Sequence, residues 1–238
     1  MAALADRVVV VTGAAGNLGQ AVARAAHAAG AKTALADRSA EQLQRVYGDA
    51  GADARRMISG GVDLAEEGSA RALAASVRAR FGRIDVLVNT VGGFRGGKPA
   101  HEEELATWEL MMTVNLRTTL HACRAVVPLM LEQGAGAIVN VGAGAALAAP
   151  AGLAAYSASK AAVLRLTESL AAEVKDRGVR VNAVLPGTID TPQNRAAMPD
   201  ADTSRWVAPE AIAEVIVFLA SDAARAVNAV ALPVFGRG

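Results

Sequence analysis

Short apolar runs of four to six residues alternate along this chain with longer segments in which apolar positions recur every three to four residues. The runs read as strands buried on both faces and the longer segments as amphipathic helices, so their alternation predicts a parallel sheet flanked by helices. Strands are expected at Val8–Thr12, Lys32–Ala36, Met57–Val62, Ile84–Asn89, Ala137–Val141, Val179–Val184 and Ala229–Val234. Helices are expected at 17–29, 39–49, 65–81, 102–132, 151–177 and 208–221, Ala-rich and with charges confined to one face. No Pro/Ser-rich linker, charge block or internal repeat divides the pattern, and residues 1–238 are expected to form one doubly wound α/β domain. Residues 185–207 depart from it: they are polar and hold three prolines, which predicts a long loop of the kind that covers a site.

Composition narrows the function. With 24 basic and 23 acidic side chains the formal charge is +1, and four Phe, two Trp and two Tyr leave few rings to stack on bases, so nucleic acid is not an expected partner. The single cysteine, Cys123, has no partner for an intramolecular disulfide, and His27, His101 and His121 lack metal-ligand spacing. These features predict a reducing, cytoplasmic setting and no metal. The stretch 133–159 is uncharged, yet five glycines, Asn140 and Pro150 interrupt it, so it reads as strand, loop and helix and no membrane contact is expected. Met1 to Val11 carries Asp6 and Arg7 and reads as a first strand, not a signal peptide.

Two constellations carry chemistry. The first strand runs into Thr12-Gly-Ala-Ala-Gly-Asn-Leu-Gly19 and then a helix. Glycines in such a turn let backbone approach a pyrophosphate, whose charge is favoured by the free N–H groups of the helix start. Asp37 ends the second strand, where a carboxylate can accept both hydroxyls of an adenosine ribose and would repel a 2′-phosphate. That favours NAD, while the neighbouring Arg38 keeps NADP open as a phosphate ligand. A helix N-cap or plain turn is the structural alternative for Asp37. Asp63, followed by Leu64, and Asn89-Thr-Val-Gly-Gly93 end the third and fourth strands, the edge where ligands bind in such sheets. The second constellation is Tyr156-Ser-Ala-Ser-Lys160: a spacing of four puts phenol and ammonium on one helix face, where the cation would lower the phenol's pKa for acid/base work.

Taken together, these residues resemble the short-chain dehydrogenase/reductase family over essentially the whole chain. The resemblance rests on the glycine turn, Asp63-Leu64, the Asn89 motif, Asn115, the Tyr156/Lys160 pair and Pro186-Gly-Thr-Ile-Asp-Thr191, in family order. It implies a Rossmann-type sheet, a small-molecule substrate and a homodimer or homotetramer built on the long helices near 102–132 and 151–177. It implies that Tyr156 donates or accepts the proton and that Lys160 binds the nicotinamide ribose and tunes Tyr156. Asn115 would hold a water in a proton relay, and Ile189 and Thr191 would contact the carboxamide. Gly13, Gly16, Asn17, Leu18, Gly19, Gly92 and Pro186 complete the implied cofactor site, and Phe94, Ala143, Met198 and Trp206 the substrate side.

Three positions depart from the family. Asn17 stands where a glycine is usual and must supply either a left-handed backbone or a polar contact. Phe235 replaces a common C-terminal Asp. Ala143 lies thirteen residues before Tyr156, where the family has a serine, and Val141 to Ala149 hold no hydroxyl at all. Such a serine polarises a substrate carbonyl, and its loss costs roughly two to three orders of magnitude in rate. The dihydropteridine reductase branch also lacks it, and Val91-Gly-Gly-Phe-Arg-Gly-Gly97, Gly142-Ala-Gly-Ala-Ala146 and Leu185 to Asp202, followed by Trp206, look like that branch. A quinonoid or conjugated C=N acceptor is therefore expected beside a carbonyl/alcohol pair of the 3-oxoacyl reductase type. A nucleotide-binding sensor without turnover is the expectation of another class.

Overall fold

The computed structural model describes residues 3–48 and 53–237. Seven strands run β1 (Val8–Thr12), β2 (Lys32–Ala36), β3 (Arg56–Ser59), β4 (Val86–Asn89), β5 (Gly136–Val141), β6 (Val179–Pro186) and β7 (Ala231–Val234). Every pairing is parallel, in the order β3-β2-β1-β4-β5-β6-β7. The helices are α1 (Asn17–Ala28), α2 (Ala40–Tyr47), α3 (Glu67–Phe81), α4 (Leu105–Met111), α5 (Thr118–Gln133), α6 (Ala154–Val174), α7 (Pro192–Ala197) and α8 (Pro209–Ala220).

Alternate residues of each strand feed opposite cores, which is why the strands read as unbroken apolar runs. Val9, Val11, Val86, Val88 and Val139 pack with α1 and α8 on one face. Val8, Val10, Leu87 and Ile138 pack with α3, α5 and α6 on the other. β1 pairs with both β2 and β4, so the chain winds away from β1 in two directions and leaves a crevice above its C-terminal end. α1 sits very close to that end. A Cβ on Gly19 would come within 2.1 Å of the Gly13 carbonyl oxygen, so only glycine lets the helix approach the turn. Among the described residues no helix is long and apolar enough to cross a membrane.

Several expectations need correction. The single helix expected over 102–132 is divided: α4 gives way to a π-helical segment at Met112–Arg117 before α5 begins. The wider turn lengthens local carbonyl spacing, and the Thr118 and Thr119 hydroxyls donate to the Val114 and Asn115 carbonyls, both at 2.8 Å. The segment 185–207 is not a bare loop. β6 continues through Pro186, and α7 follows, capped by the Thr191 hydroxyl, which accepts from Asn194 N at 3.1 Å, with Pro192 in its first turn. The third strand is Arg56–Ser59 and stops before the paired glycines 60 and 61. The second helix begins at Ala40 and runs to Tyr47, and position 49 lies outside the described residues. The sixth starts at Ala154, and residues Lys175–Arg177 tighten into a 3-10 turn.

Candidate functional site

The glycine turn is shaped by its backbone. Gly13 has φ +65°, a conformation that side chains disfavour, and a Cβ there would also press on Val91 N at 3.0 Å. Gly16 caps α1 with no side-chain hydrogen bond, so the first N–H groups of a twelve-residue helix face the crevice without a side-chain acceptor from the cap. Asn17 is helical and not left-handed, so the polar contact is the alternative realised: its Nδ2 donates to Gln193 Oε1 of α7 at 2.7 Å.

Asp37 is fixed by its neighbours. Its Oδ2 accepts from Ala15 N at 3.1 Å and its Oδ1 from Ser39 N at 3.0 Å, which leaves the remaining lone pairs toward the cleft. It is not the helix cap, since Ser39 caps α2 through Gln42 N. A cleft of about 360 Å³ brings together Gly13, Gly16, Asp37, Arg38, Asp63, Leu64 and Gly92. Asp63 Oδ1 also accepts from Ala65 N at 2.9 Å and holds the turn after β3. Uncapped helix donors, a clamped carboxylate at the end of β2 and a side-chain-free turn between them fit a dinucleotide.

A second cleft of about 260 Å³ shares Thr90 and Gly92 with the first and is lined by Leu18, Phe94, Ala143, Tyr156, Lys160, Pro186 and Ile189. Phe94, 64% exposed, meets the Tyr156 ring edge-on at 5.0 Å between centroids, with 75° between planes. Its loop is tied to the start of α6, since Gly97 N donates to the Gly152 carbonyl at 2.8 Å. Ala143 is buried and extended. Among the described lining residues only Thr90 and Tyr156 carry hydroxyls, and Thr90 Oγ1 donates to the Thr12 carbonyl at 2.6 Å.

Lys160 is buried, and its Nζ donates to the Val141 carbonyl at 2.9 Å. Burial pushes its ammonium down to about 8 and the Tyr156 phenol up to about 12. This corrects the expectation that the ammonium sets the phenol: desolvation dominates both groups, each buried in an apolar cleft. Asn115, also buried, is spent on structure as well as poised beside the cleft. Its Oδ1 accepts from Gly93 N at 2.9 Å, and its Nδ2 donates to the Gly93 carbonyl at 3.1 Å and Ser159 Oγ at 2.9 Å.

Other expected site residues lie apart from the lining. Gly19 packs behind the turn, Asn89 is buried in hydrogen bonds beneath it, and Thr191 caps α7. Met198, 40% exposed, and the half-buried Trp206 line neither cleft. Conversely Gln42, Thr113 and Val114 line the first cleft without any local signal, because helices deliver them from distant sequence. Among the described residues no group of three His, Cys, Asp or Glu is placed to hold a metal ion.

A sequence profile for the short chain dehydrogenase family matches residues 7–202. D-threitol dehydrogenase of Mycolicibacterium smegmatis is 39% identical over 98% of this chain and 93% of its own length. 2-(R)-hydroxypropyl-CoM dehydrogenase of Xanthobacter autotrophicus is 38% identical over 97% of this chain and 98% of its own. The crystal structure of levodione reductase superposes with a TM-score of 0.90 at 31% identity, covering 98% of this chain and 97% of that one.

The buried ammonium makes a stability prediction. Its folded pKa of about 8 lies below the ordinary 10.5, so at this group the unfolded chain binds more protons across that window and the lysine's own contribution to stability rises with pH through it, while Cys123, Tyr47 and Tyr156, each pushed up to about 12 by burial, contribute in the opposite sense. Lys160→Met removes that contribution and is the more stable protein at pH 7, by up to about 3 kcal/mol less the lost hydrogen bond to Val141, a difference that shrinks toward pH 10. Thermal melts at pH 7 and pH 10 check this. A variant less stable than the native chain at pH 7 contradicts it.

Proposed function

This chain belongs to the short-chain dehydrogenase family and is a nicotinamide-dependent oxidoreductase, and from that premise we propose that it reduces a conjugated C=N or quinonoid acceptor with NADH. When bound, the nicotinamide supplies or accepts the hydride. The glycine turn and the start of α1 receive the pyrophosphate, Asp37 the adenosine ribose, and Lys160 the nicotinamide ribose. Tyr156 gives its phenolic proton to the acceptor atom.

The observation that carries this reading is the hydroxyl inventory of the reaction cleft. Ala143 offers no donor and Thr90 is committed to a carbonyl, so among the lining side-chain hydroxyls Tyr156 alone is left to polarise the substrate. An ordinary ketone needs more help than that. A quinonoid ring is already electrophilic and regains conjugation on reduction. The names of the relatives favour a second reading, an alcohol/carbonyl pair.

Asp37 favours NADH over NADPH by repelling a 2′-phosphate. Two copies of the chain meet, on this reading, over the groove between α3, α5 and α6, where Leu120, Val127, Leu166 and Leu170 present apolar surface.

NADH oxidation with quinonoid dihydropterin, set against ketones, measures the acceptor class. Tyr156→Phe lowers the rate about 100-fold or more, and an unchanged rate removes Tyr156 from the reaction. Ketone turnover by the native chain without turnover of the quinonoid acceptor replaces the first reading by the second. Ala143→Ser raises ketone turnover at least about tenfold and leaves the quinonoid rate within about twofold. Asp37→Asn narrows the preference in kcat/KM for NADH over NADPH by about tenfold or more, and a ratio that does not move assigns the discrimination elsewhere.

A further inference from the structure

Val141 holds Lys160 to the sheet, and the residue before it, Asn140, holds the same helix again seven positions further on. Asn140 is fully buried. Its Nδ2 donates to Thr167 Oγ1 at 2.9 Å, and its Oδ1 accepts from Asn89 Nδ2 at 2.9 Å. Thr167 Oγ1 donates onward to the Val163 carbonyl at 2.8 Å, and Thr12 Oγ1 reaches Asn89 Oδ1 at 3.4 Å. Thr12, Asn89 and Asn140 are paired in register across β1, β4 and β5. One polar chain therefore crosses three strands beneath the cleft and ends on α6.

Seven residues make about two helical turns, so Lys160 and Thr167 share one face of α6, and both are buried. The other buried groups along that helix include Val163, Leu164, Ala171 and Val174. Apolar packing has no preferred direction and accommodates small shifts, whereas a hydrogen bond demands both distance and angle. Replacing two buried, mutually bonded polar groups by apolar ones of the same shape is nearly neutral for stability. An Asn–Thr pair at this depth is thus poorly explained by stability and well explained by alignment.

We propose that Asn140 and Thr167 are positioning residues: they fix the axial register of α6 on the sheet and thereby place the Lys160 ammonium and the Tyr156 phenol in the reaction cleft. This rests on the assignment of Tyr156 and Lys160 as the reacting pair. Neither Asn140 nor Thr167 lines either cleft, so they act through the helix.

Thr167→Val keeps the side chain's shape and removes its oxygen, and Thr167→Ser keeps the oxygen. With quinonoid dihydropterin and NADH, the Val variant loses about tenfold in kcat with KM for NADH within about twofold, and the Ser variant returns to within about twofold of native. A second readout needs no turnover. The rise in thermal stability relative to the matching Lys160→Met protein between about pH 8 and 10.5 reports the burial of Lys160, so it flattens in Thr167→Val and returns in Thr167→Ser. Tyr156, on the same helix, is the one other titratable side chain lining that cleft. Its phenol titrates near the ordinary 10.0 in the unfolded chain, inside this window, as do Tyr47 and Cys123 near theirs, and the comparison with Lys160→Met cancels all three; the π-helical segment contributes the neutral Asn115. Should the Val variant not fold, Thr167→Ala carries the same two readouts. A folded Thr167→Val with native kcat and a native pH–stability curve overturns the positioning role even where Tyr156→Phe is inactive. Tyr156→Phe at the native rate overturns the assignment beneath it.

Discussion

The parallel pairing of β1, β4 and β5 is the constraint on which the clefts depend. Parallel strands all end at the same edge, and here the last paired row joins Thr12 to Asn89 and Asn89 to Asn140. The residues that follow this row enter the crevice together: Gly13 after Thr12, Thr90 after Asn89, Val141 to Ala143 after Asn140. A slip of one residue in either pairing would turn each strand's apolar set to the wrong core and carry these residues away from one another. The row is also polar across three strands. Its side-chain amides bond to each other and to α6, so the floor of the cleft is polar, satisfied and rigid.

Above that floor, the structure sets burial against charge. Lys160 has no acidic side chain acting on it, and its only cause of shift is desolvation. A carboxylate beside it would stabilise the ammonium but would also cancel the field it exerts on any anionic group in the cleft. A backbone carbonyl holds the cation in place without cancelling its full charge. The cost is borne by the fold, as is common where a site needs a poised, desolvated group. Tyr156 shifts the other way for the same reason: burial favours its neutral form, the one that carries the proton.

How much of this was legible in the sequence follows from where each signal originates. The central strands were readable because burial on both faces leaves apolar runs with few polar residues among them, Asn89, Asn140 and Asn182 included, and their ends because glycines and carboxylates mark the turns that follow. β3 is an edge strand of half-buried residues, so the apolar Val62 beyond its glycines extended the expected strand too far. The π-helical segment leaves the 3.6 period nearly intact on either side, and its marks are hydroxyls that pair with freed carbonyls, a signal that alternation does not report. α7 carried a Thr–Pro start that turn-rich surroundings obscured. Met198 and Trp206 show the limit most plainly: a loop residue's chemistry is local, while the direction it faces depends on what it packs against. The spacing of Tyr156 and Lys160 likewise gave their shared face but not their burial, and burial decides their protonation.

The replacement at Ala143 belongs to a wider change of surface and not to one lost hydroxyl. The turn that follows it packs on the C-terminal segment: a Cβ on Gly144 would stand 3.0 Å from the Phe235 ring, and Phe235 and Ala146 pack against Leu164, Ala183 and Leu185. Ala143 itself lines the cleft, while Ala146 and Phe235 pack in the apolar cluster outside its lining. Burial excludes solvent from the phenol, which raises its pKa, and strengthens whatever single hydrogen bond the phenol makes. The same dryness penalises a substrate whose oxygen must carry developing charge with one donor, and spares a substrate that delocalises charge over its own ring. On the proposed reading the missing hydroxyl and the raised phenol act in one direction, toward an acceptor that brings its own electrophilicity.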